Sequence, residues 1–222
     1  MIYLLRHGEI ESDGTRRFIG RTDSPLSDRG RNQARFWRGV FSETAFDGIF
    51  CSDLVRSADT ARIISENRME KPQPLADLRE IDLGEWDGLA MAEVREQHPD
   101  AWRKRGKELA AFRPPGGESF GDLQARVLRA FDRIAEKNTG DVLIVAHAGV
   151  NRVLLCRLLS MDLAHLFRLG QDDACLNLID TARRPFRTAL MNLTPERASG
   201  WRRAPVRPRP HGTHLKSPLY FH

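Results

Sequence analysis

What this chain lacks narrows it first. Its 222 residues include three cysteines, Cys51, Cys156 and Cys175, widely spaced and without a Cys-x-x-Cys. An odd, scattered set argues against a disulfide framework and against a zinc site. It reads as three small buried apolar residues in a reducing, cytoplasmic setting. No window approaches the ~20 apolar residues that span a bilayer, and the chain opens on a strand pattern rather than a leader. No membrane partner is expected. No internal repeat stands out. No His-x-x-Glu-His or paired ligand spacing is present, so neither a metal nor another cofactor is expected.

A formal net charge of +5 invites a nucleic-acid reading, but its location argues against one. From Thr194 onward six basic residues face a single acid, Glu196, and this is the whole excess. Residues 1–193 are balanced. A globular nucleic-acid binder carries the excess on its own face, so no nucleic-acid partner is expected. The tail, 194–222, has five prolines and little periodicity. It is expected to be flexible, and its deletion after Leu193 is expected to leave activity intact.

What is present alternates between strand and helix. Ile2–Leu5 is an apolar run that stops at Arg6-His7-Gly8, and Val142–Val145 is another that stops at Ala146-His147-Ala148-Gly149. Short apolar runs bounded by turn signals fit buried strands. Phe46–Cys51, Cys175–Asp180 and Phe186–Leu193 are further strand candidates. Ser27–Phe41 reads as a helix with Ala34, Trp37, Val40 and Phe41 on one face. Ser52 is the expected N-cap of a second helix carrying Leu54, Ala58 and Ala61. Leu75–Trp86 reads as short extended pieces and loop, and Met91–Phe112 as mainly helical with an interruption at Pro99. Ser119 to Asp122 resembles a capping box. It opens the strongest helix, striped by Phe120, Leu123, Val127, Leu128, Phe131 and Ile134. The expected fold is a three-layer α/β/α sandwich around a mainly parallel sheet. It forms one domain over 1–193, with residues 81–118 inserted as a candidate lid.

Parallel α/β sheets place function beyond the carboxyl ends of their strands. Arg6 and His7 stand at such an end, and His147 stands at another. Arginine is a permanent planar cation matched to phosphate or carboxylate oxygens. Histidine attacks, shuttles protons or binds metal. Gly8 is expected to turn the backbone sharply and to leave room beside His7. Taken alone, either histidine fits a structural role. Two matched ones, converging if their strands are neighbours, favour a site.

The wider pattern resembles the histidine phosphatase superfamily, the phosphoglycerate mutase-like family. Arg6-His7-Gly8-Glu9 is followed by Thr22-Asp23-Ser24-Pro25-Leu26-Ser27 and Gly30. Then come Cys51–Ala61 with Arg56, Leu78–Gly88 with Glu80, Pro115-Gly116-Gly117-Glu118-Ser119, and Val145–Val150 with His147. The resemblance covers about residues 2–180. It implies that His7 is the nucleophile, forming a phosphohistidine. Arg6 and Arg56 would grip the non-bridging oxygens, with His147 as a third donor. Glu80 would be the general acid and is expected to be partly desolvated. By residue type alone Glu80, Asp82 and Glu85 are indistinguishable; the motif selects Glu80.

Two positions depart from the family pattern. Asp13 stands where the family commonly has an asparagine that donates to the phosphate. Either the loop carries Asp13 away, or it is protonated, or phosphate binding is weakened. Ile10 replaces a frequent threonine. The backbone near Ile19 and Gly20 is a candidate partner for the ester oxygen. The short insertion favours a phosphatase over the longer glycolytic mutases, and the last two motifs look most like the alpha-ribazole phosphatase branch. The implied partner is a small phosphorylated metabolite. A mutase-type phosphotransferase and a degenerate phosphate-binding module are the alternatives, and a homodimer is left open.

Overall fold

The computed structural model describes residues 1–198. The expected tail therefore falls largely outside the described residues. Its first part is not loose: Thr194–Ala198 form a turn in which the Thr194 carbonyl accepts from the Arg197 and Ala198 N–H groups, and Ala198 is 2 % exposed in the core.

The elements follow the expected alternation. They are β1 (Ile2–Arg6), α1 (Asp28–Val40), β2 (Phe46–Cys51), α2 (Val55–Ile64), β3 (Gln73–Pro74), α3 (Met91–Gln97), α4 (Pro99–Lys107), α5 (Phe120–Lys137), β4 (Asp141–Ala146), α6 (Ala148–Leu158), β5 (Leu176–Asp180) and β6 (Arg187–Leu193). Leu75–Trp86, expected as extended pieces and loop, contains two short 3-10 turns, Ala76–Leu78 and Gly84–Trp86. The sheet order is β3-β2-β4-β1-β5-β6. The first four strands pair in parallel, and β5 and β6 complete the sheet antiparallel.

Alternation along the strands splits the core into two layers. Ile2 and Leu4 of β1, with Val142 and Ile144 of β4, pack against α5 and α6. Tyr3 and Leu5, with Leu143 and Val145, pack against α1 and α2. This is the three-layer sandwich. α5 opens on a reciprocal capping box between Ser119 and Asp122. It buries Phe120, Leu123, Val127, Ala130, Phe131 and Ile134, each large side chain contributing about 1.5–3 kcal/mol. Ala130 holds the place in the buried stripe that was expected of Leu128, which is half-buried.

Residues 81–118 are bound tightly to the body. Trp86 and Val94 are fully buried. Phe18, in the loop after β1, packs against Trp86 and Trp102 and exchanges backbone hydrogen bonds with Gly88 and Leu89. All three cysteines are buried and free. Burial pushes the thiols of Cys51 and Cys175 up to about 12, which keeps them protonated. Among the described residues no helix is long and apolar enough to cross a membrane.

Candidate active site

Strand register assembles the site. Arg6 lies opposite Ala146 across β1 and β4, so the next residue of each strand, His7 and His147, leaves the sheet at the same edge. The His7 N–H donates to the Ala146 carbonyl at 3.0 Å. Both rings are buried, with centroids 5.2 Å apart and planes at 61°.

β2 supplies a third element. Cys51 lies opposite Val145, and the chain then turns into α2 with Arg56 in its first turn. Ser52 is not the helix cap. Its hydroxyl accepts from the Leu54 N–H at 3.2 Å inside the turn, and Leu54 occupies the cap position. The Asp23 carboxylate takes the free Val55 N–H at 2.7 Å, satisfying one of the donors that a helix start leaves open.

Hydrogen bonding fixes the tautomer of His7. Nδ1 lies 2.7 Å from the Gly8 carbonyl, and Arg56 Nε lies 3.3 Å from Nε2. Arginine only donates, so Nε2 carries the lone pair and Nδ1 the proton. Burial first, then the charges of Arg6 and Arg56, hold His7 well below the usual value of 6.5. Burial, then His7, Arg56 and Arg6, do the same to His147. Both rings are therefore neutral at pH 7. Among the described residues neither ring nitrogen of His147 has a hydrogen-bond partner.

Gly8 serves the site differently from expectation. Its φ is not positive. A side chain there would strike the backbone of Gly30, and one on Gly30 would strike Glu9. The glycine pair lets α1 pack against the turn. The Gly8 N–H donates to Thr60 Oγ1 at 3.1 Å, and that hydroxyl donates to the Arg56 carbonyl at 2.7 Å. Thr60 was not anticipated from the sequence.

The arginines are held by carbonyls. Arg56, 1 % exposed, donates to Thr22 O at 2.8 Å and Gly20 O at 2.6 Å. Arg6 donates to Gln171 O at 2.8 Å and pairs with Asp173 at 2.8 Å, while its buried Nε has no partner among the described residues. Beneath Arg6 lies a buried amide network. Asn151 and Asn177 both donate to Gln171 Oε1, and Asn177 also donates to the Leu4 carbonyl. Sequence reasoning missed it. An asparagine between two leucines of β5 was the available signal.

Glu80 is buried, as expected of it, and meets the start of α6. Its carboxylate accepts from Gly149 N–H at 2.9 Å and Ile81 N–H at 2.9 Å. A Cβ on Gly149 would overlap Glu80 Oε1. The rival acids stand elsewhere. Asp82 pairs with Arg21 at 2.7 Å, and Glu85 is exposed. The segment bearing Glu80 is braced by Arg126, which donates to the carbonyls of Asp77, Arg79 and Glu80 and to both oxygens of Glu118.

The expectations for the loop after β1 need correction. Asp13 is exposed, pairs with Arg17 at 2.9 Å and accepts from Thr15 N–H at 2.8 Å. These bonds, the Arg17 one foremost, lower its carboxyl to about 2, so it is ionised rather than protonated. With Ile19 and Arg17 it lines a cleft of about 700 Å³. The Gly20 N–H is not open to an ester oxygen, because it donates to Asp87 at 2.9 Å. Asp87 also gathers the Arg21 and Thr22 N–H groups, a role its sequence neighbourhood did not reveal.

Known proteins resemble most of the chain. The family model of the histidine phosphatase superfamily (branch 1) matches residues 2–194. An adenosylcobalamin/alpha-ribazole phosphatase of Salmonella typhimurium is 29% identical over 180 residues, covering 81% of this chain and 89% of that protein. Phosphoserine phosphatase 1 of Hydrogenobacter thermophilus is 30% identical over 194 residues, covering 87% and 92%. The crystal structure of an alpha-ribazole phosphatase from Shigella flexneri superposes with a TM-score of 0.79 at 26% identity, covering 86% of this chain and 95% of that one.

Proposed function

This chain belongs to the histidine phosphatase superfamily, and from that premise we propose that it hydrolyses small phosphate monoesters through a phosphohistidine on His7. The observation that carries this reading is the tautomer of His7. A neutral, buried imidazole with its lone pair on Nε2 is a nucleophile ready to attack phosphorus.

In the first step His7 Nε2 forms a bond to phosphorus as the bond to the ester oxygen breaks. The leaving oxygen takes a proton from Glu80. Arg6 Nε, the Arg56 guanidinium and a His147 N–H bind the three non-bridging oxygens, offsetting the charge that the transferring group carries. Arg56 gives one N–H each to His7, Thr22 and Gly20, so two of its five donors remain for phosphate oxygen. Charge-assisted bonds favour that contact. In the second step water attacks phosphorus and gives its proton to Glu80, the N–P bond breaks, and phosphate leaves with His7 neutral again.

The catalytic unit runs from residue 1 through the Thr194–Ala198 turn, whose Ala198 packs in the core, and 81–118 is its candidate lid. The three free, buried cysteines fit a reducing cytoplasm. Alpha-ribazole 5′-phosphate and phosphoserine are the first substrates to try, because similar proteins are named for them. Asp13 motivates a second reading, a phosphate-binding module without turnover. A panel of phosphate monoesters, including these two and para-nitrophenyl phosphate, separates the readings. Hydrolysis by the wild type and its loss in His7→Ala support the phosphatase. Phosphate binding without hydrolysis of any ester supports the module.

A further inference from the structure

Beside this cluster, four elements converge on one exposed ring. Phe167 lies in the 3-10 turn Leu163–Arg168 and is 51 % exposed, although its edge meets Phe120 of α5 at 5.7 Å. Two guanidinium groups lie over it, Arg105 of α4 at 5.7 Å and Arg152 of α6 at 5.4 Å. Arg105 also lies over Phe18 at 5.4 Å. The aromatic contacts fix the direction of both long side chains.

Both arginines are half-buried, and among the described residues neither has a carboxylate partner. Arg152 bonds through Nε to the Leu169 carbonyl at 3.0 Å, which leaves its outer donors free. Among the described residues the Arg105 guanidinium has no hydrogen-bond partner. The contrast with their neighbours is sharp. Arg103 and Arg113 are exposed and paired with Asp100 and Asp122. Burial lowers the pKa of both guanidinium groups; at Arg152 repulsion by Arg6 adds to this, while the carboxylates Glu80 and Asp172 act against it. Arg105 is withdrawn from water without a counter-charge, which is unfavourable, so an anion is the natural complement here.

Arg152 connects the pair to the reaction centre. Arg152 lies five residues beyond His147 on α6, about 7.5 Å along the axis, within electrostatic reach of Arg6 and Glu80. The segment 169–171 links the two sides, with Leu169 O bound to Arg152 and Gln171 O bound to Arg6. A planar donor fork suits carboxylate and phosphate oxygens.

We infer that Arg105 and Arg152, steadied against Phe167, form a second anion subsite, so that preferred substrates are phosphate monoesters carrying a further carboxylate or phosphate. This rests on the phosphatase reading above. The test compares glycerol 3-phosphate with 3-phosphoglycerate, which replaces its terminal alcohol by a carboxylate, and with fructose 1,6-bisphosphate, which adds a phosphate. The wild type is expected to show a KM about tenfold lower for at least one of the two doubly anionic esters, the size of one charge-assisted contact. Whichever ester gains identifies the second anion. Arg105→Gln and Arg152→Gln each bring that KM ratio towards one, and Arg105→Lys retains part of it. Hydrolysis of all three esters with equal KM overturns the subsite and leaves the phosphatase standing. Hydrolysis of none, with no phosphoenzyme, overturns both.

Discussion

The backbone N–H of Gly149 meets the carboxylate of Glu80 at 2.9 Å, and a methyl group at 149 would occupy the place of that carboxylate. The helix that follows His147 therefore also seats the proposed acid. Gly149→Ala is expected to displace Glu80 and to lower kcat on alkyl phosphates by about 10²-fold, the lower end of a general-acid contribution. The loss on para-nitrophenyl phosphate, whose leaving group needs no proton, is expected to be smaller. Equal losses on both would contradict the role given to Glu80.

Arg126 and Glu118 act on the same carboxyl from behind. Arg126 binds the carbonyls of Asp77, Arg79 and Glu80, and Glu118 binds both Arg126 and the Asp82 N–H. Glu118→Gln is expected to lower turnover of alkyl phosphates about tenfold while KM stays within about twofold. A pure KM effect would make the pair part of substrate binding instead.

Much of this site was legible because strand ends are legible. His7 and His147 each follow an apolar run, and parallel neighbours bring such ends together by register. The role of Gly8 was not legible, since its need arises from Gly30, which only the fold brings against it. Nor could the sequence rank Glu80 above Asp82 by chemistry; the difference is that one faces Gly149 and the other Arg21. Asp87 collects three N–H groups from residues more than sixty positions away, a relation that no local pattern carries. β5 and β6 read as strands, but their antiparallel direction came from the sheet.

The neutral histidines give stability a pH dependence. Well above pH 6.5 neither the folded nor the unfolded chain binds a proton at His7 or His147, and these groups contribute no slope. As pH falls through 6.5 the unfolded chain takes up protons that the folded chain refuses, because both folded values lie well below 6.5. Stability therefore drops towards acid. The thermal midpoint is expected to fall between about pH 7.5 and about pH 5.5, and to fall less in His147→Gln. A slope unchanged by that substitution would contradict the assignment.

The last described turn belongs to the body. Ala198 is buried in the core layer of α1 and α2, and Glu196 pairs with Arg29 at 3.0 Å. A chain cut after Leu193 is expected to melt several degrees below one cut after Ala198, since burial of even a few methyl-sized groups contributes about 1 kcal/mol or more. Identical midpoints would show that the turn contributes nothing.

The most direct measurement is to mix the protein with a phosphate-labelled ester, quench in alkali within one turnover, and locate the label. The account predicts about one phosphoryl group per chain, stable in base, lost in acid and attached to His7, with none in His7→Gln. Normal turnover with no label on His7, or with the label on another residue, would contradict it.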